Sequence, residues 1–151
     1  MSEPSIVVWL DPGKTTGIAW LETDGFFGSD QFDFLGLGEW LIHYTIMFGT
    51  SMHLGWEMYV ITGGGGRFGT AGYSLETIGM VKWLTHCART TVLDPQPSSA
   101  RKLGDDDKLK QLGWYKPGKR HANDAANHLL SHLLRTRSLP PDLTKRLFTS
   151  G

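Results

Sequence analysis

The stretch Ile6-Val7-Val8-Trp9-Leu10-Asp11-Pro12-Gly13-Lys14-Thr15-Thr16-Gly17-Ile18-Ala19-Trp20-Leu21 decides the fold. Residues 6–10 are apolar and rich in β-formers, and they stop at Asp11-Pro12-Gly13, a turn signal. Residues 17–21 read as a second strand, so 6–21 is a hairpin. On an extended strand Val7, Trp9 and Asp11 share one face. Pro12 disfavours helical backbone at Asp11 and holds the acid extended. Asp-Pro-Gly is also ordinary turn chemistry, so this acid alone does not define a site. Gly13-Lys14-Thr15 imitates part of a phosphate loop. The glycine required five positions before Gly13 is instead Val8, and a strand follows where a helix is needed. No nucleotide cofactor is expected.

Outward from the hairpin, residues 31–34 alternate polar and apolar as a third strand. Leu37, Trp40, Leu41, Tyr44 and Phe48 mark a helix over 37–48. Residues 53–61 read as a fourth strand, 73–88 as a helix, 90–93 as a short fifth strand and 98–103 as a short helix. The alanine- and leucine-rich segment 121–135 is the clearest helix. Pro140-Pro141 closes the folded part, giving one domain over 1–139 and a C-terminal tail over 140–151. Strands and helices in this order describe an α/β fold, a mixed sheet with helices on its faces.

The chain has 151 residues, 40% of them hydrophobic, enough for one domain with a real core. No apolar run approaches the ~20 residues of a membrane span. The first basic residue is Lys14, which gives no basic start to a signal peptide. Cys87 is the single cysteine, which excludes an internal disulfide framework and a cysteine-based zinc finger. A soluble protein of a reducing, cytoplasmic compartment is expected. The formal net charge is zero, yet residues 1–60 carry eight acids and one base while 61–151 carry fourteen bases and seven acids. Such segregation suits acids gathered at a metal site within basic surface, and equally suits an ordinary solvated exterior.

Three further groups of residues can carry chemistry. Glu57 lies in Leu54-Gly55-Trp56-Glu57-Met58-Tyr59-Val60-Ile61, otherwise free of charge. A carboxylate buried there needs a metal, a cation or a catalytic role to offset its desolvation. His121, Asp124, His128 and His132 form one stripe of the last strong helix, opposite Ala122, Ala125, Ala126, Leu129 and Leu133. His121 and Asp124, three apart, can reach one ion. His128 and His132 have zinc-pair spacing but no accompanying general-base glutamate, and a solvated face explains them equally well. The third group is basic. Arg101, Lys102, Lys108, Lys110, Lys116, Lys119 and Arg120, interleaved with Trp114 and Tyr115, suit a phosphate backbone with base stacking, and an ordinary charged loop equally. Arg67-Phe68, in the glycine-rich loop after Glu57, offers arginine to phosphate and phenylalanine to a base, although a plain linker has the same composition.

Taken in order, these motifs resemble a known family. Leu10-Asp11-Pro12-Gly13-Lys14-Thr15-Thr16-Gly17 resembles the first-strand motif of RuvC-like Holliday junction resolvases, within the ribonuclease-H-like superfamily. Trp56-Glu57, followed by a loop and a long helix, is similar to that family's second acid. Asp94-Pro95-Gln96-Pro97 with Ala100-Arg101-Lys102 resembles its fifth strand and short helix, and His121-Ala122-Asn123-Asp124-Ala125-Ala126 its final helix. The match spans roughly residues 5–135 and looks more like a bacteriophage member than a cellular one. The resemblance implies a ribonuclease-H-like fold with a five-stranded mixed sheet. It implies a homodimeric endonuclease that cuts four-way DNA junctions. It also implies Asp11, Glu57, His121 and Asp124 as catalytic ligands for two Mg²⁺ or Mn²⁺ ions. Lys14, beside Asp11, can contact the scissile phosphate. A ribonuclease or debranching enzyme of the same superfamily, or a non-catalytic branched-DNA binder, are the alternatives.

Overall fold

The computed structural model describes residues 3–58 and 68–149, with backbone alone for 68–71. Its centre is β1 (Ile6–Asp11). β2 (Thr16–Glu22) runs antiparallel to β1, pairing Leu10 with Ile18 and Asp11 with Gly17. β3 (Phe27–Phe32) continues the meander. On the other side β4 (Met52–Trp56) is parallel to β1, and β5 (Thr91–Val92) is parallel to β4. The resulting order is β3-β2-β1-β4-β5, a five-stranded mixed sheet. The helices are α1 (Phe34–Phe48), α2 (Phe68–Ala88), α3 (Asp106–Leu112), α4 (Arg120–Arg135) and α5 (Pro141–Phe148). Ser98–Lys102 forms a 3₁₀ turn. Among the described residues, no helix is long and apolar enough to cross a membrane.

Both faces of the sheet are covered, which is why β1 and β2 read as nearly continuous apolar runs. Val8, Leu10, Ile18, Trp20 and Leu54 pack against Leu37 and Leu41 of α1 and Val81 of α2. Trp9, Ala19 and Leu21 pack on the other face against Ala125, Ala126, Leu129 and Leu133 of α4. The alternation along β1 therefore sends Trp9 and Asp11 toward α4, as the hairpin reading requires.

Several boundaries differ from expectation. The third strand is Phe27–Phe32, because pairing with β2 recruits Phe27-Gly28 and because Asp33 ends the strand as the cap of α1. The Asp33 carboxylate accepts from the Gly36 N–H at 2.8 Å. The fourth strand stops at Trp56. Glu57 keeps one bridge to Gln96, and residues 59–61 lie outside the described set. The second helix begins at Phe68 rather than residue 73. Asp105-Asp106-Asp107 opens α3, with Asp105 capping the Lys108 N–H at 2.9 Å and the other two acids in the first turn. The expected tail is also corrected. Pro141 starts α5 at a position where its missing N–H costs nothing, and Leu143 and Leu147 pack on the core.

Two glycines seat α4. A Cβ on Gly17 would lie 1.8 Å from the carbonyl oxygen of His121, and one on Gly104 would lie 2.4 Å from that of Asn127. Both obstacles are backbone, so neither can swing aside. Asn123 adds a two-way clamp: its side chain accepts from the Lys116 N–H at 2.9 Å and donates to the Lys116 carbonyl at 2.8 Å. Gly17→Ala should therefore destabilise the fold by about 1–3 kcal/mol, the range for overpacking. Urea unfolding would read this directly, and an unchanged midpoint would contradict the seating.

Candidate functional site

β1 and β4 are parallel, so their carboxyl ends emerge together and deliver Asp11 and Glu57 to one edge of the sheet. The two acids line a shared cleft with Pro12, Met58 and Ser74. Ser74 ties α2 to this edge by donating to the Pro12 carbonyl at 3.2 Å. The first turn of α4, pressed onto Gly17, brings His121 and Asp124 over Asp11. Nδ1 of His121 lies 3.0 Å from Oδ2 of Asp11. One ligand atom each from Asp11, His121 and Asp124 falls within 4.8 Å of the others, the only such trio of metal-competent side chains among the described residues.

The electrostatics separate the two acids. Burial, reinforced by the charges of Glu57 and Asp124, pushes the Asp11 carboxyl up to about 6 despite its bond to His121. Glu57 moves the opposite way. His128 is fully buried, and its Nε2 lies 3.2 Å from Glu57 Oε2. That hydrogen bond holds the Glu57 carboxyl below its usual range against the effect of burial. The charges of Glu57 and Asp124 both act against ionisation of Asp11, so the three carboxylates share a site that added positive charge would favour. The donor set therefore fits a hard divalent cation: carboxylate oxygens supply charge and one imidazole completes coordination.

The remaining residues expected at a site divide. His128 and His132 do not converge on an ion. His132 packs on Trp9 with ring centroids 5.3 Å apart, and burial pushes it down to about 4. Lys14 is exposed beside the cleft, 5.9 Å from the centre of the Tyr73 ring. Lys119 sits 4.0 Å from Asp30, and Lys116 bonds the Ser29 carbonyl on β3. Lys102 lines a separate groove with Leu103, Leu133 and Phe148. Trp114 is buried and stacked on Phe27 at 4.1 Å, so it is core and not a platform for bases. Arg67 and the side chain of Phe68 lie outside the described residues. Arg120 lies 3.7 Å from Asp124.

Sequence reasoning placed Arg101 among the phosphate-facing bases and missed its contact with Asp124 at 3.2 Å; it missed Gln96, which contacts His128 at 3.1 Å, altogether. Arg101 stood in a visible basic run beside Lys102. Gln96 carried no signal, being one polar residue in a proline-rich turn.

No family model matches the sequence, and no curated protein is significantly similar to it. Solved structures do match the fold. RuvC of T. thermophilus in complex with a Holliday junction substrate superposes with a TM-score of 0.65 at 14% identity, covering 88% of this chain and 96% of that one. A second Thermus thermophilus RuvC structure gives a TM-score of 0.58 at 15% identity, covering 87% and 95%. The chain thus has the ribonuclease-H-like fold of RuvC, with the mixed five-stranded sheet expected from its sequence.

The raised Asp11 value carries a prediction. An acid raised in the native state is penalised whenever it is ionised, fully above about pH 6 and not at all below its ordinary 3.8. At pH 7 without divalent ions, Asp11→Asn should stabilise the protein by roughly 1–3 kcal/mol. Mn²⁺ should raise the melting temperature of the wild type but not of the variant. Chelator-treated thermal melts, with and without added ion, check both.

Proposed function

We propose that this chain is a divalent-metal-dependent endonuclease that hydrolyses phosphodiester bonds at four-way DNA junctions, acting as a homodimer. The observation that carries the reading is the gathering of Asp11, His121 and Asp124, with Glu57 in the adjoining cleft, on a RuvC-like fold. RuvC supplies the branched-DNA precedent, and the acid cluster supplies the means. Asp11, Glu57, His121 and Asp124 would hold two Mg²⁺ or Mn²⁺ ions. Bound there, such ions supply the charge that activates a water and stabilises the leaving 3′ oxygen. The protein's own part is orientation. β1 and β4 fix Asp11 and Glu57, Gly17 lets α4 set His121 and Asp124 against them, and Arg101 with Arg120 steadies Asp124. Lys14, Lys119 and Arg120, exposed around this edge, are the proposed phosphate contacts.

The direct test is cleavage of a mobile four-way junction, a duplex and an RNA–DNA hybrid, each with Mg²⁺, Mn²⁺ or chelator. Metal-dependent cutting of the junction alone is the expected result. Hybrid cleavage would reassign the substrate, and junction binding without cleavage would mark a binding module. Glu57→Gln and Asp124→Asn should each slow junction cleavage about a hundredfold or more, the loss of several kcal/mol of stabilisation, while junction binding survives.

The dimer rests on apolar surface. Leu35, Ile42 and Ile46 fall on one exposed stripe of α1, and Leu75 and Trp83 stand exposed on neighbouring α2. Ile46 is 79% exposed, so Ile46→Glu should leave the folded monomer intact and dissociate the dimer. Analytical ultracentrifugation reads this, and a wild type that sediments as a monomer contradicts it.

A further inference from the structure

His128 is 0% exposed, an unusual position for an imidazole, and it lies one turn below Asp124 on α4. Its two ring nitrogens have different partners. Nε2 lies 3.2 Å from Glu57 Oε2, and Nδ1 lies 3.1 Å from Oε1 of the Gln96 side-chain amide. A carboxylate only accepts, so Nε2 carries the proton of that bond. The Gln96 side chain is buried and its amide nitrogen, as placed, has no hydrogen-bond partner. Turned over, the amide donates that N–H to Nδ1 and fixes the ring's tautomer. The Trp9 ring lies nearly parallel to the imidazole, 6.4 Å away and inclined by 14°.

Gln96 is itself anchored at the backbone to the residues on either side of Glu57. Its N–H donates to the Trp56 carbonyl at 3.1 Å, and its carbonyl accepts from Met58 at 2.6 Å. The Glu57 main chain and side chain are thus referenced to the same residue, once directly and once through His128. Nothing in ligand geometry demands this. Glu57 stands just past the last residue of β4, where a long, flexible side chain would otherwise sample several rotamers.

We infer that His128, oriented by Gln96 and Trp9, is a positioning residue for Glu57 and sets how tightly the site holds a divalent ion. The inference rests on Glu57 being an ion ligand, as proposed above. His128 occupies one carboxylate oxygen and leaves the other for the cleft shared with Asp11. It also shares a helix with His121 and Asp124, so one rigid element registers three of the four ligands: two by carrying them, one by holding it at a distance. Such partners of ligating carboxylates typically change metal affinity by about 10–100-fold when removed.

The test uses the full chain, stripped of metal and without DNA, titrated with Mn²⁺ by calorimetry. Junction binding in chelator is measured alongside. His128→Phe keeps the ring's bulk and deletes both hydrogen bonds. It should weaken Mn²⁺ binding by about 10–100-fold and leave junction binding unchanged. His128→Gln, whose amide nitrogen stands near the place of Nε2, should recover most of the affinity, which a purely packing role would not allow. A folded His128→Phe protein with wild-type Mn²⁺ affinity overturns the inference. Should His128→Phe fail to fold, Gln96→Leu carries the same test: weakened Mn²⁺ binding supports positioning, and wild-type affinity overturns it. Glu57→Gln separates the two levels. If it too binds Mn²⁺ like the wild type, the site reading fails and the inference with it. If it binds weakly while His128→Phe and Gln96→Leu bind normally, only the role of His128 is lost.

Discussion

The carboxylate of Asp11 is the constraint around which the structure is arranged. It ends a strand whose other side chains are almost wholly withdrawn from water, and burial pushes it up to about 6. An apolar sheet edge would be easier to build. What tolerates the acid is His121 within hydrogen-bond reach; the charges of Glu57, held ionised by a different histidine, and of Asp124 work against it. Stability is given up locally, at the one edge where a cation would return it. This is the pattern expected of a site kept for chemistry rather than for folding.

The backbone that makes this possible is unusually close-packed. Helix α4 lies against the sheet at a distance only glycine permits, with Gly17 opposite Asp11 in the strand register. The residue that faces Asp11 across the hairpin is therefore also the one that admits His121. Each member of His121-Ala122-Asn123-Asp124 has separate work there. The first and last approach Asp11, Ala122 fits under the glycine, and Asn123 clamps the incoming loop. Arg101 and Arg120 then partly neutralise Asp124 from the solvent side.

Much of this was legible in the residues, for physical reasons. The hairpin, the central parallel strand and α4 are long or strongly patterned, and their apolar periods survive into the structure. Glu57 stands out as a lone charge in an apolar segment, whereas Asp11 sits in ordinary turn chemistry and gains its meaning from the family resemblance. What stayed hidden depends on tertiary pairing. The start of β3 at Phe27 is decided by β2, and Gln96 matters only because a bridge brings it beside Glu57. The polar stripe of α4 was visible as a stripe, yet nothing local distinguishes the half-buried His121 from the fully buried His128. Pro140-Pro141 reads as a stop because proline breaks helices, whereas here the second proline begins one.

The spacing of the interacting residues along the chain also bears on how the protein comes into being. Asp11 meets His121 across 110 residues, and Glu57 meets His128 across 71. The face of the hairpin that bears Trp9, Ala19 and Leu21 has no cover until α4 exists. A ribosome that has released only the first hundred residues has therefore released a half-covered sheet with one apolar face bare and two uncompensated acids at its edge. Folding of that face must wait for α3 and α4, the slow, long-range closure typical of high contact order. The acids stay apart from their histidines until α4 has been made, so assembly of this cluster waits on that helix.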